Sequence, residues 1–322
     1  MKKVCLTLPL AGLFVLLTTH VGAATITENF STNPLQDGWR IFGDTNLFQW
    51  DSTNHNLAVT WDSSQSNSYF YHPLGTILTR DDDFTIAFDL QLNDVETTGY
   101  GFEIAVGFLN FGQAAQTHFS RGTGTNSPNL AEFDYFPAPD DGTISPTMIS
   151  SNVQFASAFD FPLNLTNGVF YHIEMTYTAS NQTLSTAIIY NNCRPFGPID
   201  DVNLNAYGTG FSDFRLDTVA ISSYNGAGDP YDSTFATGVI TNLIVTVPPP
   251  PIQNLTASFS NAIWQTQFLS RSNWIYALER TADFQSWTNI LPVTTGNATN
   301  LFLQDANPPA GKAFYRISAQ RP

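Results

Sequence analysis

The stretch Phe84-Thr85-Ile86-Ala87-Phe88-Asp89-Leu90-Gln91-Leu92 decides the fold of this protein. Its large apolar side chains occupy every second position, which gives one apolar face and one mostly polar face. An amphipathic helix would instead place apolar residues three and four positions apart. The stretch therefore predicts a long β-strand with one face against a core.

The same alternation recurs along the chain. It returns at 102–108 and 171–177, and residues 178–182 (Thr-Ala-Ser-Asn-Gln) are typical of a hairpin turn that leads into a further strand at 184–190. Clusters of Asn, Gly, Asp and Ser separate these segments over more than 200 residues. The pattern predicts an all-β protein with two large antiparallel sheets stacked as a sandwich.

The composition agrees with this fold class. Of the 322 residues, 14% are aromatic and only 12% are charged, which excludes a disordered chain. The 26 Phe, 12 Tyr and 6 Trp favour strands over helices, because ring side chains pack well on a pleated surface.

Residues 1–24 have the pattern of a secretory signal peptide. Lys2 and Lys3 precede an apolar run at 4–17, and small residues follow at 21–24. The run is too short to span a bilayer, and no later stretch is long enough. We therefore expect a secreted protein, extracellular or periplasmic, with no membrane span.

The charge is strongly acidic and unevenly distributed. Without residues 1–24 the chain has 10 basic and 27 acidic residues, a balance that excludes nucleic acid and anionic membranes as partners. Residues 25–247 contain 24 acidic residues, five Arg and no Lys, whereas the rest has three acidic and five basic residues. The run Pro248-Pro249-Pro250-Pro251 separates these two parts. The predicted organisation is a domain at 25–247, a stiff linker at 248–252 and a small domain at 253–322.

The small domain shows short strand patterns at 262–268, 274–280, 299–304 and 314–318, enough for one small β-sandwich. Residues 276–287 and 314–317 resemble a fibronectin III-like module of secreted bacterial proteins. The resemblance implies an accessory role for this module.

Four stretches of the first domain resemble, in order, the strands of the L-type (legume) lectins and the wider concanavalin A-like jelly-roll class: 100–108 (YGFEIAVGF), 131–136 (AEFDYF), 165–184 and 214–245. The resemblance implies a concanavalin A-like antiparallel β-sandwich, a jelly roll, and an extracellular glycan or polysaccharide as partner.

The segment Glu132-Phe133-Asp134 resembles the acidic strand that supplies the paired calcium and transition-metal site of those lectins. Alternation places both carboxylates on one face, roughly 7 Å apart, where they are unfavourable without a cation. Asp140 and Asp141 follow on a loop. The resemblance thus implies calcium held by Glu132, Asp134, Asp140 and Asp141. The alternative is that Glu132 and Asp134 are solvated or hydrogen-bonded carboxylates inherited with the scaffold.

Candidate ligand-binding residues are three rings that could stack on a sugar, Tyr100, Tyr135 and Phe136, together with Asn129 as a hydrogen-bonding side chain. Tyr100 stands where these lectins carry a sugar-binding Asp.

The leading hypothesis is a secreted, non-catalytic, lectin-like carbohydrate-binding or adhesion protein. The alternatives are a polysaccharide-degrading enzyme of the concanavalin A-like class and a structural envelope protein without a ligand. Hydrolases of this class use a Glu-x-Asp-x-Glu strand, one Glu as nucleophile and the other as acid/base. Here Phe136 occupies the third position, so a two-carboxylate mechanism cannot operate on this strand.

Overall fold

The strand predicted at 84–92 lies within a longer strand, Phe84–Thr98. The computed structural model describes residues 23–98, 102–121, 127–138, 140–191, 193–226 and 233–322. The predicted signal peptide and Tyr100 lie outside these ranges, apart from residues 23 and 24. The chain divides into two compact units between Pro248 and Pro249, inside the run of four prolines.

The described residues of the first unit form 17 strands, one short α-helix and three 3-10 helices. The strands are β1 (Ala24–Glu28), β2 (Arg40–Phe42), β3 (Phe48–Asp51), β4 (Asn56–Asp62), β5 (Ser68–Leu78), β6 (Phe84–Thr98), β7 (Ile104–Leu109), β8 (Leu130–Phe136), β9 (Thr143–Ile144), β10 (Thr147–Ile149), β11 (Phe155–Ser157), β12 (Phe170–Thr178), β13 (Thr183–Tyr190), β14 (Arg194–Phe196), β15 (Val202–Asn203), β16 (Leu216–Ser223) and β17 (Ser233–Val247). The helices are α1 (Phe111–Ala114) and the 3-10 turns Pro34–Gln36, Thr45–Leu47 and Leu204–Gly210.

These strands build two antiparallel sheets. The first sheet has the order β14-β13-β12-β6-β17-β4-β3, with β1 also paired to β17 and β15 to β13. The second sheet has the order β11-β10-β8-β7-β16-β5-β2, with β9 paired to β8. The prediction of an all-β antiparallel sandwich is confirmed.

Aromatic side chains fill the space between the two sheets. Phe88 of the first sheet and Phe133 of the second meet edge to face with ring centroids 5.9 Å apart. Phe84 and Phe108 make a similar contact at 5.0 Å. The alternation that predicted the strands therefore does place their apolar faces against one another.

The opposite face of the second sheet is buried as well. A separate group of buried side chains lies there, which we call the outer cluster: Tyr69, Tyr71, Ala105, Leu109, Ala114, Phe119, Leu130, Ile149, Ala220 and Tyr224. Tyr69 donates a hydrogen bond from its hydroxyl to the carbonyl of Ala114 at 3.1 Å, which ties the end of α1 to β5. The segment from α1 to Arg121 thus adds a third layer to this side of the sandwich.

The second unit contains seven strands: β18 (Ile252–Ser260), β19 (Ile263–Ser270), β20 (Ile275–Thr281), β21 (Thr288–Asn289), β22 (Thr294–Thr295), β23 (Asn300–Asp305) and β24 (Phe314–Gln320). One sheet has the order β18-β19-β23, and in the other β20 pairs with β21, β22 and β24. Trp264 of β19 stacks on Tyr315 of β24 at 4.1 Å, so the two sheets face each other. Its likeness to a fibronectin III-like module stays a prediction.

No helix among the described residues has the length and apolar character needed to cross a membrane.

Candidate functional site

Strand β8 carries four of the eight predicted site residues and places them on two faces. Ala131, Phe133 and Tyr135 point into the core between the sheets. Glu132 and Asp134 alternate with them on the opposite face, beside Leu130 of the outer cluster. Both carboxylates have no exposed surface. The acidic strand is therefore buried on both sides.

Arg121 provides the positive charge for these two carboxylates. Its Nε donates to Oε2 of Glu132 at 3.1 Å, and its Nη2 donates to Oδ2 of Asp134. The side chain of Arg121 is 1% exposed. A buried carboxylate pair is tolerated only with a partner charge and hydrogen bonds, and the guanidinium supplies both.

Two further residues complete this cluster. Tyr224 donates a hydrogen bond from its hydroxyl to Oε1 of Glu132. Glu103, which precedes β7, lies with Oε1 3.3 Å from Nε of Arg121 and is also buried. We call Glu103, Arg121, Glu132, Asp134 and Tyr224 the β8 cluster.

Burial dominates the electrostatics of the β8 cluster. It raises the pKa of Glu103, Glu132 and Asp134 above their ordinary values, and the charge of Arg121 partly opposes that rise. Burial also raises the pKa of Tyr224, so the phenol keeps the proton that it donates to Glu132. Three carboxyl groups share one guanidinium, and retention of a proton reduces the excess negative charge.

A glycine makes room for the cluster. Gly107 of β7 lies opposite Glu132 of β8 in the antiparallel register. A Cβ atom at Gly107 would approach the carbonyl oxygen of Ala131 to 2.3 Å and the Cα of Glu132 to 2.6 Å. The close approach of these two strands thus requires glycine at this position.

The calcium that the lectin resemblance implies does not fit these residues. Oxygens of Glu132, Asp134 and Glu103 all contact the Arg121 guanidinium, which occupies the space that a shared cation needs. Calcium would require those oxygens at about 2.3–2.6 Å from one centre. Within the described residues, no group of three or more His, Cys, Asp or Glu side chains is arranged to hold a metal ion.

Asp140 and Asp141 do not share the buried environment of Glu132 and Asp134. Both are exposed, in the loop between β8 and β9. The side chain of Asn164 accepts a hydrogen bond from the Gly142 amide at 2.9 Å and donates to the Asp140 carbonyl at 3.2 Å. The loop is thereby fixed, with its two carboxylates in solvent.

Two predicted ligand-binding residues are corrected by their contacts. Asn129 is 2% exposed, and its side chain donates to Gln113 and accepts from Ser151 and the Arg215 amide. Tyr135 lies in the sandwich core, where its hydroxyl accepts a hydrogen bond from the Leu165 amide. Both residues are structural, because their polar atoms are bonded within the chain.

Phe136 is the first residue of β8 to emerge from the buried region. It pairs with Thr143 of β9, and the neighbouring residue Ile144 pairs with Asp160. Phe161 directly follows Asp160 in the chain. Phe161 is 67% exposed. We call Phe136, its strand partner Thr143 and the exposed Phe161 the Phe136–Phe161 row, because the pairings of β9 connect their segments.

Sequence reasoning missed Arg121, Glu103, Tyr224 and Phe161. A signal existed for the first: residues 25–247 contain only five Arg and no Lys, so an isolated Arg close in sequence to two acidic strand residues was a candidate partner. The other three depend on pairings between distant parts of the chain, which no local pattern encodes.

Comparison with known proteins gives matches of structure alone. No family model matches the chain, and no curated protein does. Solved structures with a similar layout include peanut lectin with a nine-residue peptide (17% identity, 70% of this chain and 98% of that chain covered, TM-score 0.43). They also include the seed lectin of Lotus tetragonolobus (11%, 70% and 98%, TM-score 0.45) and the marine PL-14 alginate lyase from Aplysia kurodai (13%, 70% and 99%, TM-score 0.46). At these identities and TM-scores the matches report a shared arrangement of strands only.

Proposed function

We propose that this protein is a secreted, non-catalytic, carbohydrate-binding or adhesion protein whose ligand is a neutral glycan. The observation that carries the proposal is the exposed ring of Phe161, whose segment is hydrogen-bonded through Leu163 and Asn164 to the loop with the exposed Asp140 and Asp141. Secretion rests on the signal-peptide pattern of residues 1–24.

The row has the chemistry of a sugar-binding surface. An exposed phenyl ring can stack on the apolar face of a pyranose, while nearby carboxylates accept hydrogen bonds from its hydroxyl groups. Phe136 lies on β8, which pairs with β9, and Phe161 follows Asp160, which bridges Ile144 of β9.

The backbone under the row is held in place. The Leu163 amide donates to the Gly142 carbonyl at 2.7 Å, and Asn164 bridges to the same loop. A surface that is fixed before binding loses less conformational entropy when the ligand arrives.

Charge narrows the class of ligand. Residues 25–247 contain 24 acidic residues against five Arg, and one of those, Arg121, is buried. An anionic polysaccharide would be repelled by this surface. We therefore favour neutral glycans over uronic-acid or sulfated ones.

The acidic strand does not contribute to this surface. Glu132 and Asp134 have no exposed surface and are held by Arg121, so a sugar cannot reach them in this conformation.

A glycan array with the full secreted chain tests the proposal. We expect hits among neutral glycans that are weakened at least tenfold by Phe161→Ala and by Phe136→Ala. Asp140→Asn with Asp141→Asn should also weaken them. Phe170→Ala is the matched control, since Phe170 is 48% exposed on the first sheet.

Three results would contradict the proposal. No glycan hit at all would favour the structural alternative. Hits that Phe161→Ala leaves unchanged would place the site elsewhere. Release of reducing ends from a polysaccharide by the purified protein would identify an enzyme.

A further inference from the structure

We infer that Arg121 is the resident cation of the β8 cluster, so that the first unit is stable without calcium, and that removal of Arg121 turns the cluster into a cation-binding site. This inference is independent of the proposed glycan binding, because it concerns only buried residues.

The first step is the geometry of the guanidinium. It contacts Glu132 and Asp134 on β8 and Glu103 before β7, and each of these side chains is at most 1% exposed. A cation shared by two carboxylates is what the spacing at 132 and 134 requires. The chain itself supplies that cation.

The second step is the position of Arg121 in the chain. It follows α1 and Phe119, and Phe119 packs against Tyr224 in the outer cluster. The ion pairs to β8 therefore fasten the outer layer to the second sheet. A metal ion at this place would bridge only carboxylates, whereas Arg121 also brings its own segment of backbone.

The third step concerns the dependence of a bound ion on its free concentration in solution. A bound ion stabilises a protein only as far as its free concentration exceeds its dissociation constant. A side chain needs no such supply, so the stability of the first unit should not respond to chelators.

The fourth step predicts what remains when Arg121 is shortened. Three buried carboxyl groups would surround a space from which the guanidinium has gone, and their mutual repulsion would destabilise the fold. Carboxylate oxygens are the ligands that Ca²⁺ and its trivalent lanthanide analogues prefer. A cation from solution should then substitute for the missing charge.

Thermal unfolding of the full chain tests this in EDTA, in CaCl₂ and in TbCl₃. The wild type should unfold at the same Tm in all three media. Arg121→Ala should have a clearly lower Tm in EDTA and regain several degrees with Ca²⁺ or Tb³⁺. Terbium luminescence sensitised by Tyr224 should appear in Arg121→Ala only.

The matched control is Arg215→Ala, because Arg215 pairs with Asp213 where both side chains are about one-third exposed. This control measures how much the Tm changes when one Arg is removed from an acidic protein. A Tm gain with Ca²⁺ that Arg215→Ala and the wild type share would reflect general ion binding and would overturn the inference.

Other outcomes are equally decisive. A wild-type Tm that falls in EDTA, or an Arg121→Ala protein with unchanged Tm, or one that no cation rescues, would overturn the inference. If Arg121→Ala does not fold, the inference is tested with a variant in which all four charged side chains of the cluster are replaced by uncharged ones, Arg121→Leu/Glu103→Gln/Glu132→Gln/Asp134→Asn. Recovery of a cation-insensitive fold supports the inference, and failure to recover overturns it.

Discussion

The Nε atom of Arg121 lies 3.1 Å from Oε2 of Glu132, and both side chains are 1% exposed. One residue belongs to the outer layer and the other to the middle of the second sheet. Their ion pair joins the two layers without access to solvent. Because Arg121 is the one basic member of the β8 cluster, its loss leaves the desolvated carboxyl groups without a partner charge.

Tyr224→Phe should destabilise the first unit. The substitution keeps the ring but removes the hydroxyl that donates to Glu132, leaving a buried carboxylate oxygen without that donor. We expect the free energy of unfolding to fall by about 1–3 kcal/mol. Urea unfolding followed by fluorescence measures it. Tyr190→Phe, which changes a half-buried ring on β13 of the first sheet, is the control and should have little effect.

The stability of Glu103→Gln relative to the wild type should improve as pH rises. Burial raises the pKa of Glu103 above its ordinary value of 4.5, so the folded state holds a proton that the unfolded state has lost. Wild-type stability attributable to Glu103 must then decline as pH rises above 4.5, and Gln removes that decline.

The measurement is urea unfolding of both proteins at about pH 5 and about pH 8. The difference in free energy of unfolding, variant minus wild type, should be larger at the higher pH. A difference that is the same at both pH values would show that Glu103 does not titrate differently in the folded and unfolded states.

Gly107→Ala should disrupt the contact between β7 and β8. The added methyl group would meet the Ala131 carbonyl oxygen at 2.3 Å, and backbone atoms cannot move aside cheaply. We expect a loss of about 1–3 kcal/mol or more in the free energy of unfolding. Gly112→Ala is the control, because the new Cβ atom would lie 3.5 Å from its nearest neighbour, the side-chain oxygen of Asn110, which is an ordinary van der Waals contact. Equal effects of the two substitutions would contradict this account.

Limited proteolysis should cut the chain between the two units. The run of four prolines joins β17, which ends at Val247, to β18, which begins at Ile252. Many proteases avoid bonds to proline, so cleavage is expected at the flanks of the run, near residues 248–253. Mass spectrometry should identify a folded acidic fragment that ends there. A single unfolding transition with no stable fragment would show that the units are not independent.

The fold was predictable from the sequence because alternation is a local property. The strand patterns at 171–177 and 184–190 correspond to β12 (Phe170–Thr178) and β13 (Thr183–Tyr190), with the hairpin turn between them as predicted. Each strand needs only its own residues to display an apolar face.

The site was less predictable because its partners come from elsewhere in the chain. Alternation correctly put Glu132 and Asp134 on one face, but it could not show that this face is covered by a third layer. A strand with two buried faces normally reads as a continuous apolar run. In β8 the charged residues of the second buried face made it resemble a solvent-facing metal site. Likewise, the segment of Phe161 reaches β9 only through the pairing of Ile144 with Asp160, which no local pattern predicts.

The burial of β8 on both faces has a consequence for amide hydrogen exchange. Its amide protons lie in an internal strand, between the sandwich core and the outer cluster, and should exchange only when the whole unit unfolds. The edge strands β11 and β14 should exchange sooner, by local opening. The buried part of β8 ends between Tyr135, which is buried, and Phe136, which is partly exposed. Within one strand, then, slow exchange should give way to faster exchange at the residue where the chain first meets solvent.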